Sequence, residues 1–270
     1  MSSQVSFDFD RLADGFDQML PVLAPVTHRI IHHVPEPAAG AKVLDIACGT
    51  GEPGLTLAQR FPGVALLGVD AAEPMVGIAR TKAARRAITG VRFAVQNSQE
   101  LDLPDADTDL VVSRFGVLSF ADPAAESREL ARVMRPGAAL SIATWDAASK
   151  NILSYAISVA VGEWLPAPVT AAMQRLEHFA MPGRRERWLS QAGLAEVDSE
   201  LWSWLVEFPD ESAMWELATG PAMLGAVLKD VDDDVLASAR VRFGDLLSDY
   251  RRSDGSFALP YACRLMWGRR

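Results

Sequence analysis

The sequence predicts an α/β protein whose largely parallel sheet is covered by helices on both faces, and three observations carry that expectation. Short apolar runs of strand length alternate with stretches of helical spacing from residue 43 to residue 145. The first of these runs, residues 43–47, is apolar enough to read as a parallel strand buried on both sides. It leads directly into a glycine-rich turn that opens a helical stretch, VLDIACGTGEPG at 43–54.

Taken in order, residues 8–34 have apolar positions Leu12, Phe16, Met19 and Leu20 at helical spacing, with Pro21 and Pro25 expected to break the run into pieces. The cluster PEPAAG at 35–40 punctuates the chain before the first strand. Helix is then expected over 51–61, 72–86 and 123–134, and strand over 64–69, 91–95, 109–113 and 138–145. Past Trp145 the rhythm lengthens to helical stretches at 149–180 and 210–252, interrupted by a strand-like 195–207 and closed by FALPYACRLMWGRR. The organisation read from this is a helical cap at 1–39, a core at 40–146, and lid helices plus the last strands of the same sheet at 147–270, all in a single structural domain. All 7 tryptophans (145, 164, 188, 202, 204, 215, 267) fall in the last part, either as an aromatic cover over the sheet or simply as packing.

Composition excludes several classes. With 49% hydrophobic and 23% charged residues there is no long polar tract to read as disorder. A net charge of −9 argues against nucleic acid, since phosphate binding needs clustered cations. The group Arg80, Lys82, Arg85 and Arg86 reads instead as the solvated end of a helix. The 2 cysteines, Cys48 and Cys263, have neither disulfide nor zinc spacing, and no metal site is expected. No apolar run reaches membrane-spanning length and the N-terminus is acidic where an export signal is basic, so a cytoplasmic protein is expected. The oligomeric state is left open.

Gly49, Gly51 and Gly54 fit GxGxxG literally, and Asp70 ends the next strand, so a dinucleotide fingerprint has to be weighed. Against it stands Asp45, a carboxylate inside the first strand where an apolar side chain is normal. Such a group calls for an ammonium-bearing ligand or a polar loop network. Asp70 with Glu73 also reads as a helix capping box, and Asn97 with Ser98 as a turn.

Five stretches in order over residues 40–145 resemble the class I S-adenosylmethionine-dependent methyltransferases, particularly the small-molecule group related to quinone-biosynthesis enzymes: VLDIACGTG, GVDAAEPMV, VQNSQELDLP, DLVVSRFGVLSF and ELARVMRPGAALSIATW. The resemblance implies a Rossmann-like, doubly wound seven-stranded sheet, mostly parallel with the last strand antiparallel. It implies S-adenosylmethionine as cofactor and S-adenosylhomocysteine as product. By the same likeness Asp45, Ala47, Gly49 and Gly51 line the methionine half, Asp70 takes the ribose hydroxyls, and Ala71 and Met75 lie near the adenine. Asn97, Ser98 and Gln99 meet the adenine edge, Asn97 and Ser98 standing where the family more often has Asp and Ala. Ser113, Arg114 and Phe115 stand at a strand mouth beside the reacting sulfonium, and Phe16 closes over the cofactor.

The expected reaction is methyl transfer to an oxygen, nitrogen or carbon atom of a small, hydrophobic or aromatic metabolite, of the kind met in secondary metabolism. Alignment and exclusion of water are its main requirements. If a general base is used, His28, His32 and His178 are candidates, and Arg114 is one for orienting an anionic acceptor or for pairing with an acid. Trp145, Asp146, Tyr155, Trp164, Phe179 and Met181 are pocket candidates by position after the last core strand. Two rival readings stand beside this one: a protein that binds the cofactor without methyl transfer, structurally or for a cyclisation, and an NAD(P)-dependent reductase.

Overall fold

A computed structural model describes residues 9–119, 122–229 and 231–270, so the first eight residues of the cap reading lie outside it. The cap consists of α1 (Phe9–Phe16) and α2 (Leu20–His32), joined by a 3₁₀ turn. Then come β1 (Lys42–Ile46), α3 (Gly54–Arg60), β2 (Ala65–Asp70), α4 (Glu73–Arg85), β3 (Val91–Val95), β4 (Thr108–Arg114), α5 (Pro123–Val133) and β5 (Met134–Trp145). The remainder comprises α6 (Ile152–Val161), α7 (Ala167–Phe179), α8 (Arg184–Gln191), β6 (Ala195–Phe208), α9 (Glu211–Thr219), α10 (Gly225–Leu228), α11 (Asp233–Leu247) and β7 (Phe257–Arg269).

One sheet of seven strands runs in the order β3-β2-β1-β4-β5-β7-β6. β1 to β5 pair in parallel, whereas β7 is antiparallel to both β5 and β6. The last strand is therefore the reversed one, and the sheet is the doubly wound, mostly parallel architecture expected. Alternate residues explain why both faces are covered: Val43, Leu110 and Val112 join one core with α2, α3 and α6, while Leu44, Val111 and Leu140 join another with α5 and α8. The chain winds outward from β1 through β2 to β3, then crosses back to β4. The crevice at the carboxyl ends of β1 and β4 is thus the topological switch point, where sheets of this kind bind ligands.

Pro25 does not interrupt the cap helix; α2 runs through it. The missing N–H costs one helical bond, but Val22, Leu23, Val26 and Ile30 form a buried face against the sheet, and that burial outweighs the loss. Other elements fix the α2 carbonyls: Trp204 Nε1 donates to Val22 O at 3.1 Å and Ser141 Oγ to Ile30 O at 2.9 Å. Lys82 ties the cap to α4 by pairing with Asp17 at 2.6 Å. Arg80 donates to Phe93 O and Arg86 pairs with Glu52 at 3.0 Å. Arg80, Arg85 and Arg86 are exposed on α4 and at its end, as expected of a solvated helix face, and Lys82 alone of the group is turned inward, toward the cap.

Candidate functional site

The carboxyl ends of β1, β2, β4 and β5, closed over by the cap and by helices of the C-terminal half, enclose a cavity of about 600 Å³. One wall is built from the turn after β1 and the end of β2. Gly49, at φ +52°, takes a left-handed conformation and exposes its backbone to the cavity. Its N–H donates to Asp70 Oδ2 at 2.8 Å, while Asp70 Oδ1 accepts from Ala72 N at 3.0 Å. Asp70 thus stitches the two turns together and still has lone pairs facing the cavity. Burial raises its pKa, and the N–H groups of Ala72, Gly49 and Ala71 pull against that. The capping box does not form, because the Glu73 carboxylate pairs with Arg80 at 2.9 Å.

Phe16 from the cap stands 3.7 Å from where a Cβ on Gly49 would lie, so a side chain there would fill the space between the turn and that ring. Ala47, Ala71 and Met75 complete this wall, and Asn97, Ser98 and Gln99 line its far end. Asn97 also makes the local turn, its Oδ1 accepting from Gln99 N at 3.0 Å. Ser98 donates to Glu126 at 2.5 Å, and the second oxygen of Glu126 accepts from Leu118 N at 2.7 Å. Glu126 lines the cavity, and burial pushes its carboxyl up to about 7.

Backbone strain gathers at the strand mouths. Ala47 and Phe115 both have positive φ without being glycine, at 55° and 65°. Gly116 lies so close to Ala47 that a Cβ on it would stand 2.1 Å from the Ala47 Cβ. Non-glycine residues held in this region persist where surrounding structure over-determines them, and such positions cluster at functional sites. Phe115 in turn stacks on Trp145 with ring centroids 3.7 Å apart and planes 5° from parallel.

Arg114 ends β4 and lines the cavity, although only 8% exposed. Its Nη1 donates to Thr27 Oγ1 of the cap at 2.7 Å, with Leu23 O at 3.5 Å. Burial lowers its pKa to about 10 against the fields of Glu52, Asp45 and Asp17. Asp45 is wholly buried and does not line the cavity: Oδ2 accepts from Gly54 N at 2.8 Å, anchoring the start of α3, while Oδ1 has no partner. Burial raises this carboxyl to about 8. The polar loop network expected around Asp45 therefore satisfies one oxygen and leaves the other unsatisfied. Gly51 (φ +106°) and Ser113 are likewise buried behind the wall, the Ser113 hydroxyl without a partner.

The other half of the cavity is mainly apolar, with Asn151, Ser154, Ser158 and Glu177 also in its lining. Met19 and Leu23 from the cap line it with Ile157 of α6, Met173 and Leu176 of α7, Met223, Leu224 and Trp145, whereas Leu12 packs with Ala72 and Met75 at the first wall. Asp146 reaches the cavity but is already paired, with Lys150 at 2.7 Å and Arg264 at 3.4 Å. Although burial pushes its pKa up, those cations and the Ala147 N–H hold it below the usual carboxylate range.

Residues 43–137 match the model of a methyltransferase domain family. That match coincides with the strands and turns that build the glycine wall, and the sheet order and single reversed strand complete the picture. The fold is that of the class I S-adenosylmethionine-dependent methyltransferases. A demethylmenaquinone methyltransferase of Thermus thermophilus is 41% identical over 104 residues, 38% of this chain and 47% of that protein. The chain thus aligns with about half the length of this relative. A nocamycin O-methyltransferase of Saccharothrix syringae is 29% identical over 202 residues, covering 70% of this chain and 71% of that one. Among solved structures, phosphoethanolamine N-methyltransferase 2 of Haemonchus contortus with S-adenosyl-L-methionine superposes with a TM-score of 0.61 over 96% of this chain and 56% of that one, at 14% identity.

In this fold, the sequence-derived candidates Phe16, Ala47, Gly49, Asp70, Ala71, Met75, Asn97, Ser98, Gln99, Arg114, Phe115, Trp145 and Asp146 all line one cavity. The remaining pocket candidates do not. Tyr155, Trp164 and Met181 are on the surface at 40%, 39% and 52% exposure. Phe179 is buried edge-on against Trp188. Position after the last strand was too coarse a guide, because a helical cover offers the cavity only one face of each helix. His28, His32 and His178 are exposed, and no histidine is found among the described residues lining the cavity. Trp145 is the tryptophan that faces the cavity. Trp202, Trp204 and Tyr261 stack behind it, Trp267 lies on His33 and Trp215 against Phe243. Sequence reasoning missed Glu126, whose local pattern is that of any acidic residue in a helix's first turn. It also missed the apolar lining from α6, α7 and Leu224, which has no motif to mark it.

Proposed function

We propose that this chain is an S-adenosylmethionine-dependent methyltransferase acting on an oxygen, nitrogen or carbon atom of a small apolar or aromatic metabolite, with S-adenosylhomocysteine as the second product. The observation that carries the reading is that one cavity joins a polar wall of Gly49, Asp70 and Ser98 to an apolar chamber based on Trp145. Two different ligands, one polar and one apolar, would meet where the strained mouths of β1 and β4 face each other. The Thermus thermophilus and Saccharothrix syringae relatives support the same class, one named for demethylmenaquinone and the other for O-methylation of nocamycin.

The residues present fit the cofactor: Asp70 would accept the ribose hydroxyls in charge-assisted hydrogen bonds, and Asn97, Ser98 and Glu126 would read the adenine edge. Ala47 and Gly49 would bring bare backbone against the amino-acid tail, with Phe16 closing above. S-adenosylmethionine, when bound, supplies a methyl group already activated by its positive sulfur. The protein's own work is then alignment and dryness, an effect worth about 7–11 kcal/mol of a barrier when two reactants are well oriented. Leu23, Ile157 and Leu224 exclude water, and the stacked Phe115 and Trp145 rings give an aromatic or apolar acceptor a flat face. Asp146, paired and held ionised, is poorly suited to take a proton, so an acceptor that loses one must shed it to solvent or to Glu177 at the cavity edge.

The test is incubation with methyl-labelled cofactor and a panel of quinols, phenols, amines and apolar carboxylic acids. Label appearing in an acceptor supports the reading. Tight binding of S-adenosylhomocysteine with no transfer to any acceptor would favour the non-methylating alternative, and binding of NAD(P)H in its place would favour the reductase.

A further inference from the structure

Arg114 is the one cation among the described residues that line the cavity. It makes no ion pair among the described residues, and of its guanidinium nitrogens only Nη1 is engaged, by Thr27 and Leu23 of the cap. Nε and Nη2 remain as a planar pair of N–H donors on a residue that borders the cavity. A buried guanidinium left in this state is costly, and the geometry of its free edge matches a bidentate oxyanion.

Its position narrows which oxyanion. Asp45 of β1 pairs with Val112 of β4, and a Cβ on Gly116 would stand 2.1 Å from the Ala47 Cβ, so the end of β4 that carries Arg114 lies against the turn after β1. Arg114 therefore stands at the glycine-turn end of the cavity, where the amino-acid tail of an adenosyl sulfonium would end. Asp17 is tied to Lys82 and Thr50, and Glu52 to Arg86 and Thr56, so neither is free to swing in and neutralise Arg114 itself.

Resting on the cofactor reading above, we propose that Arg114 receives the α-carboxylate of the cofactor's amino-acid tail, and so makes the site select adenosyl amino acids over adenosyl thioethers without that group. The bond would also couple cofactor to cap, because the same guanidinium holds Thr27 of α2. A cofactor that lacks the carboxylate would leave the arginine unpaired and the cap less firmly seated.

Calorimetric titration of the full chain tests this with three probes: S-adenosylhomocysteine, its α-carboxamide, which keeps the ammonium but loses the negative charge, and 5′-methylthioadenosine, which lacks the amino-acid tail. The wild-type protein is expected to bind S-adenosylhomocysteine about 30- to 100-fold more tightly than the carboxamide, in the range of a buried charged hydrogen bond. In Arg114→Met that ratio should collapse to within about threefold while 5′-methylthioadenosine affinity stays put. Arg114→Lys should recover part of the ratio. Equal loss for all three probes in Arg114→Met, reproduced by Thr27→Val, would reduce Arg114 to an anchor for the cap and overturn the proposal. An unchanged ratio would assign the guanidinium to some other anion and overturn it as well. The wild-type comparison of acid with amide needs no variant to fold, so near-equal affinities there would be decisive on their own. Binding of none of the probes would instead sink the cofactor reading itself.

Discussion

The two halves of the cavity were built by different rules. The wall made by β1, β2 and the turns after them is specified by backbone demands: a left-handed glycine, a carboxylate bonded to two N–H groups, and strand ends held in strained conformations. The chamber made by the cap and the C-terminal helices is mostly apolar, with Ser154, Ser158 and Glu177 also in its lining, and asks chiefly for side chains of roughly the right size. Few residue types satisfy the first kind of demand, whereas many satisfy the second. Recognition of a cofactor and recognition of an acceptor would be expected to divide along that line.

The comparison breaks first at Asp70. We expect Asp70→Ala to weaken S-adenosylhomocysteine binding by about 2–4 kcal/mol, since ribose hydroxyls would lose a charged acceptor and the Gly49 and Ala72 N–H groups theirs. Unchanged affinity in a folded variant would make Asp70 a purely local turn residue. In the chamber, Trp145→Ala should cost about 3 kcal/mol of folding stability by removing the ring stacked on Phe115, read as a shift in urea midpoint. A neutral outcome would mean that the cover packs more loosely than the described contacts imply.

The buried carboxyls on and behind the glycine wall also make stability depend on pH. Glu126 is raised from its ordinary 4.5 to about 7 by burial, so between those values the folded state holds a proton that the unfolded state has released. Stability should therefore fall as pH rises from about 5 to about 7, by an amount approaching about 3 kcal/mol, and be flat above that for this group. Glu126→Gln should remove that part of the slope. The Asp45 carboxyl, raised to about 8, has the same sign and should leave a residual decline in the variant. A wild type with no decline between pH 5 and 7 would contradict this. The smallest effect is expected at Trp164, an exposed residue outside the cavity: Trp164→Ala should change stability and cofactor affinity by less than about 0.5 kcal/mol.

What could be read from the chain follows the same division. That Gly49, Asp70 and Asn97–Gln99 line one cavity was legible because a glycine turn after a strand and a carboxylate at the next strand's end leave fixed spacings in sequence. Asp45 was flagged for the right reason, a charge inside a strand, but its engaged oxygen serves Gly54 rather than a ligand in the cavity. The strand positions held because buried parallel strands are continuous apolar runs. Pro25 misled, since a local helix breaker was overridden by a buried helix face, a tertiary effect that no window of sequence contains. Tyr155, Trp164 and Met181 misled because large side chains on an amphipathic cover point outward as readily as inward. Glu126 and Leu224 became visible only when α5 and the segment before α10 were brought to the cavity by the fold.

The most direct measurement is a calorimetric titration of the intact protein with S-adenosylhomocysteine and, separately, with NADH and NADPH. The account predicts one S-adenosylhomocysteine molecule bound per chain, no saturable nicotinamide binding, and loss of the adenosyl signal in Asp70→Ala with its circular dichroism unchanged. Saturable nicotinamide binding without any response to S-adenosylhomocysteine would contradict it.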